Sequence, residues 1–117
     1  SAHDVPAGTT SVAEGAVGQG LYAVLSGAVE IHKEEAGLEV LLATLGPGEI
    51  FGEISLLHEE RASATVTASA PSTVLFLRRE TFRKLVEAVP AIGDYVRDLG
   101  EERLMDTRIL LDGLDGP

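Results

Sequence analysis

The chain has 117 residues, of which 44 % are hydrophobic and 24 % are charged, as is usual for one soluble globular domain. Its formal net charge of −10 argues against binding to nucleic acid or an anionic membrane, because both select clustered Lys and Arg. The absence of cysteine excludes disulfides and thiolate metal sites, and no apolar run approaches the roughly 20 residues of a membrane span. We therefore expect a single domain with a cytoplasmic location as the default.

From Val5 to Leu77 the sequence reads as short β-type runs separated by Gly and Pro turns, a pattern typical of an antiparallel sandwich or barrel. The predicted strands are Thr9 to Ala13, Leu21 to Ser26, Ala28 to Lys33, Leu38 to Leu45, Ala64 to Ala70 and Thr73 to Arg78. The strand from Leu21 to Ser26 is apolar on both faces, so we expect Leu25 to be covered as well as Val24.

The hydrophobic period changes after the last predicted strand. Apolar residues at helical spacing predict an amphipathic helix from Glu80 to Val89, and Pro90 suits the first turn of a new helix. That second helix is expected from Ala91 to about Asp112, with a bend at Gly100 and a stop at Gly113. The fold class is therefore mainly β with two C-terminal helices.

The stretch from Phe51 to Val66 carries the chemistry that could hold an anion. Gly52, Glu53 and Ile54 open a predicted short helix, whose first turn has unpaired N–H groups and a partial positive charge. The small residues at 62–64 would let a second piece of backbone approach the same anion. A phosphorylated sugar is the ligand this predicts, and the alternative is that these elements simply pack.

Glycines and hydrophobic residues elsewhere in the chain recur at spacings that extend this pattern beyond residues 51–66. They are Gly15, Gly18 and Gly20 before the run from Leu21 to Ile31, then Leu45 to Glu53, and Ala64 to Val66. Together they resemble the cyclic nucleotide-binding domain family from residue 5 to about residue 112. The resemblance implies an antiparallel β-roll, or jelly roll, over residues 5–78 with a short cassette helix, and two helices over residues 80–112. We expect residues 1–117 to be one such domain from a longer protein.

In that family a phosphate-binding cassette holds the ribose and phosphate of cyclic AMP (cAMP) or cyclic GMP (cGMP), and the last helix closes over the base. Glu53 would then accept a hydrogen bond from the ribose 2′-hydroxyl. The resemblance implies a cassette formed by Phe51, Gly52, Glu53, Ile54, Ser55, Arg61, Ala62, Ser63 and Ala64. The lid candidates are Tyr95, Leu99 and Arg103.

The phosphate arginine of the family departs from register here. The family places this arginine two residues before the Ala of the Ala-Thr-Val exit, which begins at Ala64 in this chain. That position is occupied by Ala62, and Arg61 stands one residue earlier. A one-residue offset can send a side chain to the opposite face, where Arg61 would pair with Glu59 or Glu60. Either Arg61 still reaches the phosphate, or binding persists weakly through backbone amides and Ser63, or the pocket has lost the nucleotide.

The sequence therefore predicts one of two alternative functions, and neither is enzymatic. One is a regulatory module that couples pocket occupancy to the C-terminal helix. The other is a structural version of the fold that uses this helix for homodimerisation or for docking to another domain. A metalloenzyme is disfavoured because His3, His32 and His58 are isolated, and no catalytic set is evident. We expect no cofactor and no metal, with a cyclic nucleotide as the candidate ligand.

Overall fold

Two four-stranded antiparallel sheets form the body of the protein. The computed structural model describes residues 1–53, Leu56 and residues 61–115, with side chains described as far as Gly113. The strands are β1 (Ala2–Val5), β2 (Thr10–Val12), β3 (Gly20–Ser26), β4 (Val29–Glu35), β5 (Leu38–Leu45), β6 (Ile50–Phe51), β7 (Thr65–Ala68) and β8 (Ser72–Arg78). The first sheet has the order β1-β8-β3-β6 and the second the order β2-β7-β4-β5. This arrangement is the β-roll that the sequence predicts.

The inner faces of the two sheets meet in one hydrophobic core. The first sheet contributes Val24, Phe51 and Val74, and the second contributes Val29, Leu45 and Val66, all of them buried. Because side chains alternate along a strand, inward-facing residues lie two apart, as Val29 and Ile31 do in β4 and Ala43 and Leu45 do in β5. The core therefore fixes the register of the strands around it.

Two helices follow the last strand and cover one end of the first sheet. They are α1 (Arg79–Ala88) and α2 (Pro90–Asp115), with Pro90 at the first helical position, where its missing N–H costs nothing. A second cluster forms there around Leu56, Phe82 and Val96. Since Leu56 follows directly from the predicted cassette, this cluster joins the cassette to both helices.

Three features of the fold differ from the sequence expectation. The β-roll begins earlier than Val5, because Ala2–Val5 pairs with β8 as an edge strand. Leu25 is 49 % exposed, since the helices cover only the other end of β3. Helix α2 also runs through Gly100 and Gly113 to Asp115, because Gly113 does not adopt the positive φ of a helix-ending glycine.

In the part of the chain that the structure describes, no helix is both long and apolar enough to cross a membrane.

Gly27 makes the tight connection between β3 and β4. Its φ is +85°, and a Cβ there would lie 2.2 Å from Ser72 Oγ and 2.6 Å from the Pro71 carbonyl oxygen. That hydroxyl also accepts a hydrogen bond from the Ala28 N–H at 3.1 Å. The turn therefore requires glycine for two independent reasons, backbone conformation and space.

We predict that Gly27→Ala destabilises the fold more than Gly48→Ala. Gly48 has a similar φ of +88° but open space around it, so its substitution should cost only the conformational strain, about 1–2 kcal/mol. Gly27→Ala should add about 1–3 kcal/mol of overpacking to that strain. Urea unfolding monitored by circular dichroism measures both, and equal losses would show that the contact with Ser72 is unimportant.

Candidate ligand-binding site

A cavity of about 160 Å³ lies between the second sheet, the segment around Glu53 and the later part of α2. Its wall is formed by Val12, Ile31, Leu42, Ala43, Phe51, Gly52, Glu53, Ala62, Ser63, Ala64, Val66, Arg103, Asp106, Thr107 and Leu110. The sheet residues make an apolar floor, whereas the cassette and α2 contribute the polar and charged groups. Such a cavity suits a ligand with one flat apolar part and one polar part.

The backbone before Glu53 is held in one conformation by close packing. Gly52 has φ +87°, and a Cβ there would lie 2.8 Å from the Gly20 carbonyl oxygen and 3.3 Å from the Tyr22 ring. Tyr22 in turn stacks on Phe51, with ring centroids 4.8 Å apart and planes 2° from parallel. Burial raises the pKa of the Tyr22 hydroxyl, which stays neutral in this stack. These contacts direct Glu53 towards the cavity.

Glu53 and Arg103 form an ion pair across the cavity wall. Arg103 Nη1 donates to Glu53 Oε1 at 2.6 Å, and the Glu53 side chain is only 3 % exposed. A buried carboxylate is costly unless it is paired, so this contact compensates the charge of Glu53. The pair connects the cassette directly to helix α2.

Arg61 points away from the cavity. Its backbone pairs with Val17, and its Nη1 donates to the Gly15 carbonyl oxygen at 3.0 Å on the exposed side. The next residue, Ala62, is 8 % exposed and lines the cavity. The Ala62 N–H donates to the Ala16 carbonyl oxygen at 2.7 Å, and its own carbonyl oxygen accepts from the Gly15 N–H at 2.8 Å. The pairing with the loop at residues 15–17 therefore sets which of the two side chains faces inward.

A lysine and a glutamate brace the cassette exit from outside. Lys33 Nζ donates to the Ser63 carbonyl oxygen at 2.8 Å and to Glu14 Oε2 at 3.2 Å. The Glu34 N–H donates to Glu14 Oε1 at 3.1 Å, and this bond, with help from Lys33, lowers the pKa of the Glu14 carboxyl. Sequence reasoning missed this brace, because Glu14, Lys33 and Ser63 lie far apart in the sequence.

The structure brings most of the predicted site residues to one cavity. Those that line it are Phe51, Gly52, Glu53, Ala62, Ser63, Ala64 and Arg103. Arg61, Leu99 and Tyr95 do not line it, and Tyr95 is 65 % exposed. Ile54 and Ser55 lie outside the described residues, as do Glu59 and Glu60, the predicted partners of Arg61.

Sequence reasoning also missed three wall residues on α2. Asp106, Thr107 and Leu110 follow Arg103 by three, four and seven positions, so they lie on the same helical face. That spacing would have identified them once Arg103 was chosen. Among the described residues no group of acidic and histidine side chains could hold a metal ion.

The described residues form a β-roll domain with a cavity between the second sheet, the segment around Glu53 and the last helix. The family model for the cyclic nucleotide-binding domain matches residues 2–89. The chain belongs to the cyclic nucleotide-binding domain family.

Its similarity to individual proteins extends over most of the chain. It is 38 % identical to the cyclic AMP receptor protein of Thermus thermophilus over 108 residues, which are 92 % of this chain and 50 % of the relative. It is also 38 % identical to the cAMP-dependent protein kinase regulatory subunit of Yarrowia lipolytica over 85 residues, which are 73 % of this chain and 22 % of that protein. The chain thus spans at most about half the length of these curated relatives.

Solved structures agree with this assignment. The Thermus thermophilus catabolite activator protein superposes with a TM-score of 0.87 at 36 % identity, over 98 % of this chain and 55 % of that one. The regulatory domain of Toxoplasma gondii PKA, crystallised with cAMP, gives a TM-score of 0.70 at 34 % identity, over 72 % of this chain and 32 % of that one.

We predict a strong energetic coupling between Glu53 and Arg103. A double-mutant cycle with Glu53→Gln, Arg103→Gln and the double variant should give about 1–3 kcal/mol, because each single change leaves a poorly matched buried group. The exposed pair of Asp94 and Arg97, 3.2 Å apart on the same helix, is the control and should give about 0.3–0.5 kcal/mol. Denaturant unfolding measures both cycles. Equal coupling in the two pairs would contradict the structural role given to Glu53 and Arg103.

Proposed function

We propose that this domain is a regulatory module that binds a cyclic nucleotide in the cavity and transmits its occupancy to helix α2. The observation that carries the proposal is the ion pair between Glu53 and Arg103. The residue expected to receive the ribose 2′-hydroxyl is the same residue that Arg103 of α2 contacts. Family membership and the cAMP-bound relative support cAMP or cGMP as the ligand class.

The coupling follows from contacts that the ligand and helix α2 would share at the cavity wall. A ribose hydroxyl that donates to Glu53 enters the space next to the guanidinium of Arg103, so the ligand and the helix act on the same group. Asp106 and Thr107 lie on the same wall, so the ligand would also contact α2 directly. A ligand shifts a helix only if it binds the two helix positions with different affinity, and these shared contacts supply that difference.

We further propose that the affinity for the phosphate is weak. Arg61 is hydrogen bonded to Gly15 on the exposed side, and Ala62 occupies the position where the family has its phosphate arginine. Among the described residues, the N–H groups of Ser63 and Ala64 donate no hydrogen bond and remain available to an anion. Loss of a charged partner costs roughly 1.5–3 kcal/mol, or about 10- to 150-fold in affinity.

We predict weak binding of cAMP or cGMP by the native chain and tighter binding by Ala62→Arg. Isothermal titration calorimetry should give at least a tenfold lower Kd for the variant, because it restores a cation on the cavity wall. Ala88→Arg, the same change at an exposed position of α1 outside the cavity, should leave the Kd unchanged. Absence of binding in both the native chain and a folded Ala62→Arg variant would reject the proposal.

A second function is favoured by the apolar residues that α2 leaves exposed. Met105 and Ile109 are 59 % and 64 % exposed, and Leu104 and Leu110 are partly exposed beside them. Such a stripe at helical spacing is typical of a helix that packs against a partner. Homodimerisation is the simplest use of this stripe, and docking to another domain is the other.

We predict that the chain self-associates through this stripe. Size-exclusion chromatography with light scattering should show a concentration-dependent dimer that Ile109→Glu abolishes. Leu41→Glu, at a residue of β5 that is 52 % exposed, is the matched control and should leave the dimer intact. A strict monomer at high protein concentration would contradict self-association and leave docking to another domain as the use of the stripe.

A further inference from the structure

We infer that this cavity recognises the nucleoside part of its ligand and gains little from a phosphate, so that an uncharged nucleoside binds it about as tightly as the matching cyclic nucleotide. The inference rests on the proposed nucleotide site and concerns its ligand class. It follows from the charges on the cavity wall and from the backbone pairing that sets them.

The described part of the cavity wall carries two acids and one base. Glu53 and Asp106 are the acids, and Arg103 is the base. The charge of Arg103 is already compensated by Glu53 at 2.6 Å. No ion pair involves Asp106 in the part of the chain that the structure describes, so its carboxylate adds a negative charge to the wall. An anionic phosphate therefore meets a wall of its own sign, in a chain whose formal net charge is −10.

A change of the Arg61 side-chain rotamer alone cannot bring its guanidinium into the cavity. For Arg61 to enter the cavity, Ala62 would have to turn outward, because successive residues of an extended segment face opposite sides. That shift would break the bonds of Ala62 to Ala16 and Gly15 at 2.7 and 2.8 Å, as well as the bond from Arg61 to Gly15. The arrangement that excludes Arg61 is thus maintained by three hydrogen bonds.

A nucleoside matches what the wall does offer. Its ribose hydroxyls are donors, and the buried carboxylate of Glu53 is an acceptor. The flat base has apolar faces that suit Ile31 and Leu42 on the sheet, and its polar edge faces Asp106 and Thr107 on α2. Carboxylate and hydroxyl groups on that helix can accept hydrogen bonds from an exocyclic amino group. Every one of these contacts is available without a phosphate.

The test compares nucleosides with cyclic nucleotides on the same protein. Isothermal titration calorimetry of the native chain with adenosine, cAMP, guanosine and cGMP should give Kd values that differ by less than about threefold within each pair. Asp106→Asn removes one negative charge from the wall and should tighten cyclic nucleotide binding several-fold relative to the nucleoside. Asp98→Asn makes the same change at an exposed position of α2 outside the cavity and should leave the ratio unchanged.

Each outcome separates this inference from the proposed function. A cyclic nucleotide that binds the native chain more than tenfold tighter than its nucleoside overturns the inference and leaves the proposed function in place. A nucleoside that binds while the cyclic nucleotides do not overturns the inferred equality of the two affinities and also rejects the cyclic nucleotide as the ligand. Binding of neither class rejects both. Equal changes in Asp106→Asn and Asp98→Asn would show that net charge, and not the cavity wall, controls the ratio.

Discussion

The carboxylate of Glu53 is the group on which the arrangement of the site depends. It is almost fully buried, and a buried charge is stable only beside a partner. Arg103 is that partner, and it comes from the later half of α2. The apolar contacts of α2 are concentrated earlier, at Ile92 and Val96, which pack with Phe82 of α1. The ion pair joins the later half of the helix to the cassette, and that half supplies Asp106, Thr107 and Leu110 to the cavity wall. Glu53 thus lies both on the cavity wall and in direct contact with α2.

Backbone pairing at the cassette exit determines whether Arg61 or Ala62 lies on the cavity wall. The loop at residues 15–17 pairs with Arg61 and Ala62 and turns the alanine inward. On the other side of the exit, Lys33 bonds to the Ser63 carbonyl oxygen and is itself paired with Glu14. Residues 61–63 are consequently held by hydrogen bonds at both ends. Because facing alternates from one residue to the next, a one-residue difference in the cassette exchanges a methyl group for a guanidinium on the wall.

The sequence predicted both helices and six of the eight strands that the structure describes, because glycines and alternation are local signals, but it did not predict β1 or β6. The resemblance to the family supplied the cassette residues that line the cavity. The sequence was less informative about which parts of the protein pack over each strand and helix. Alternation places Leu25 on an outer face but does not reveal that the helices cover only the other end of its strand. Of the three lid candidates, only Arg103 lines the cavity. Tyr95 is eight residues before it, which rotates it by about 80° around the helix, away from the cavity. The contact between Glu53 and Arg103 spans 50 residues, and no local pattern predicts such a pair.

Glu53 and a bound phosphate would compete for the guanidinium of Arg103. A carboxylate has about four acceptor sites, so a ribose hydroxyl can donate to Glu53 while Arg103 keeps its own bond. A phosphate instead attracts the guanidinium, and any movement of Arg103 towards it leaves the buried carboxylate less well compensated. A ribose hydroxyl at Glu53 would therefore leave this ion pair intact, whereas an anion that attracts Arg103 would weaken it. With Arg61 held outside, Arg103 is the one arginine on the described part of the cavity wall. Under the proposed function, a bound phosphate and the buried Glu53 would therefore depend on the same side chain.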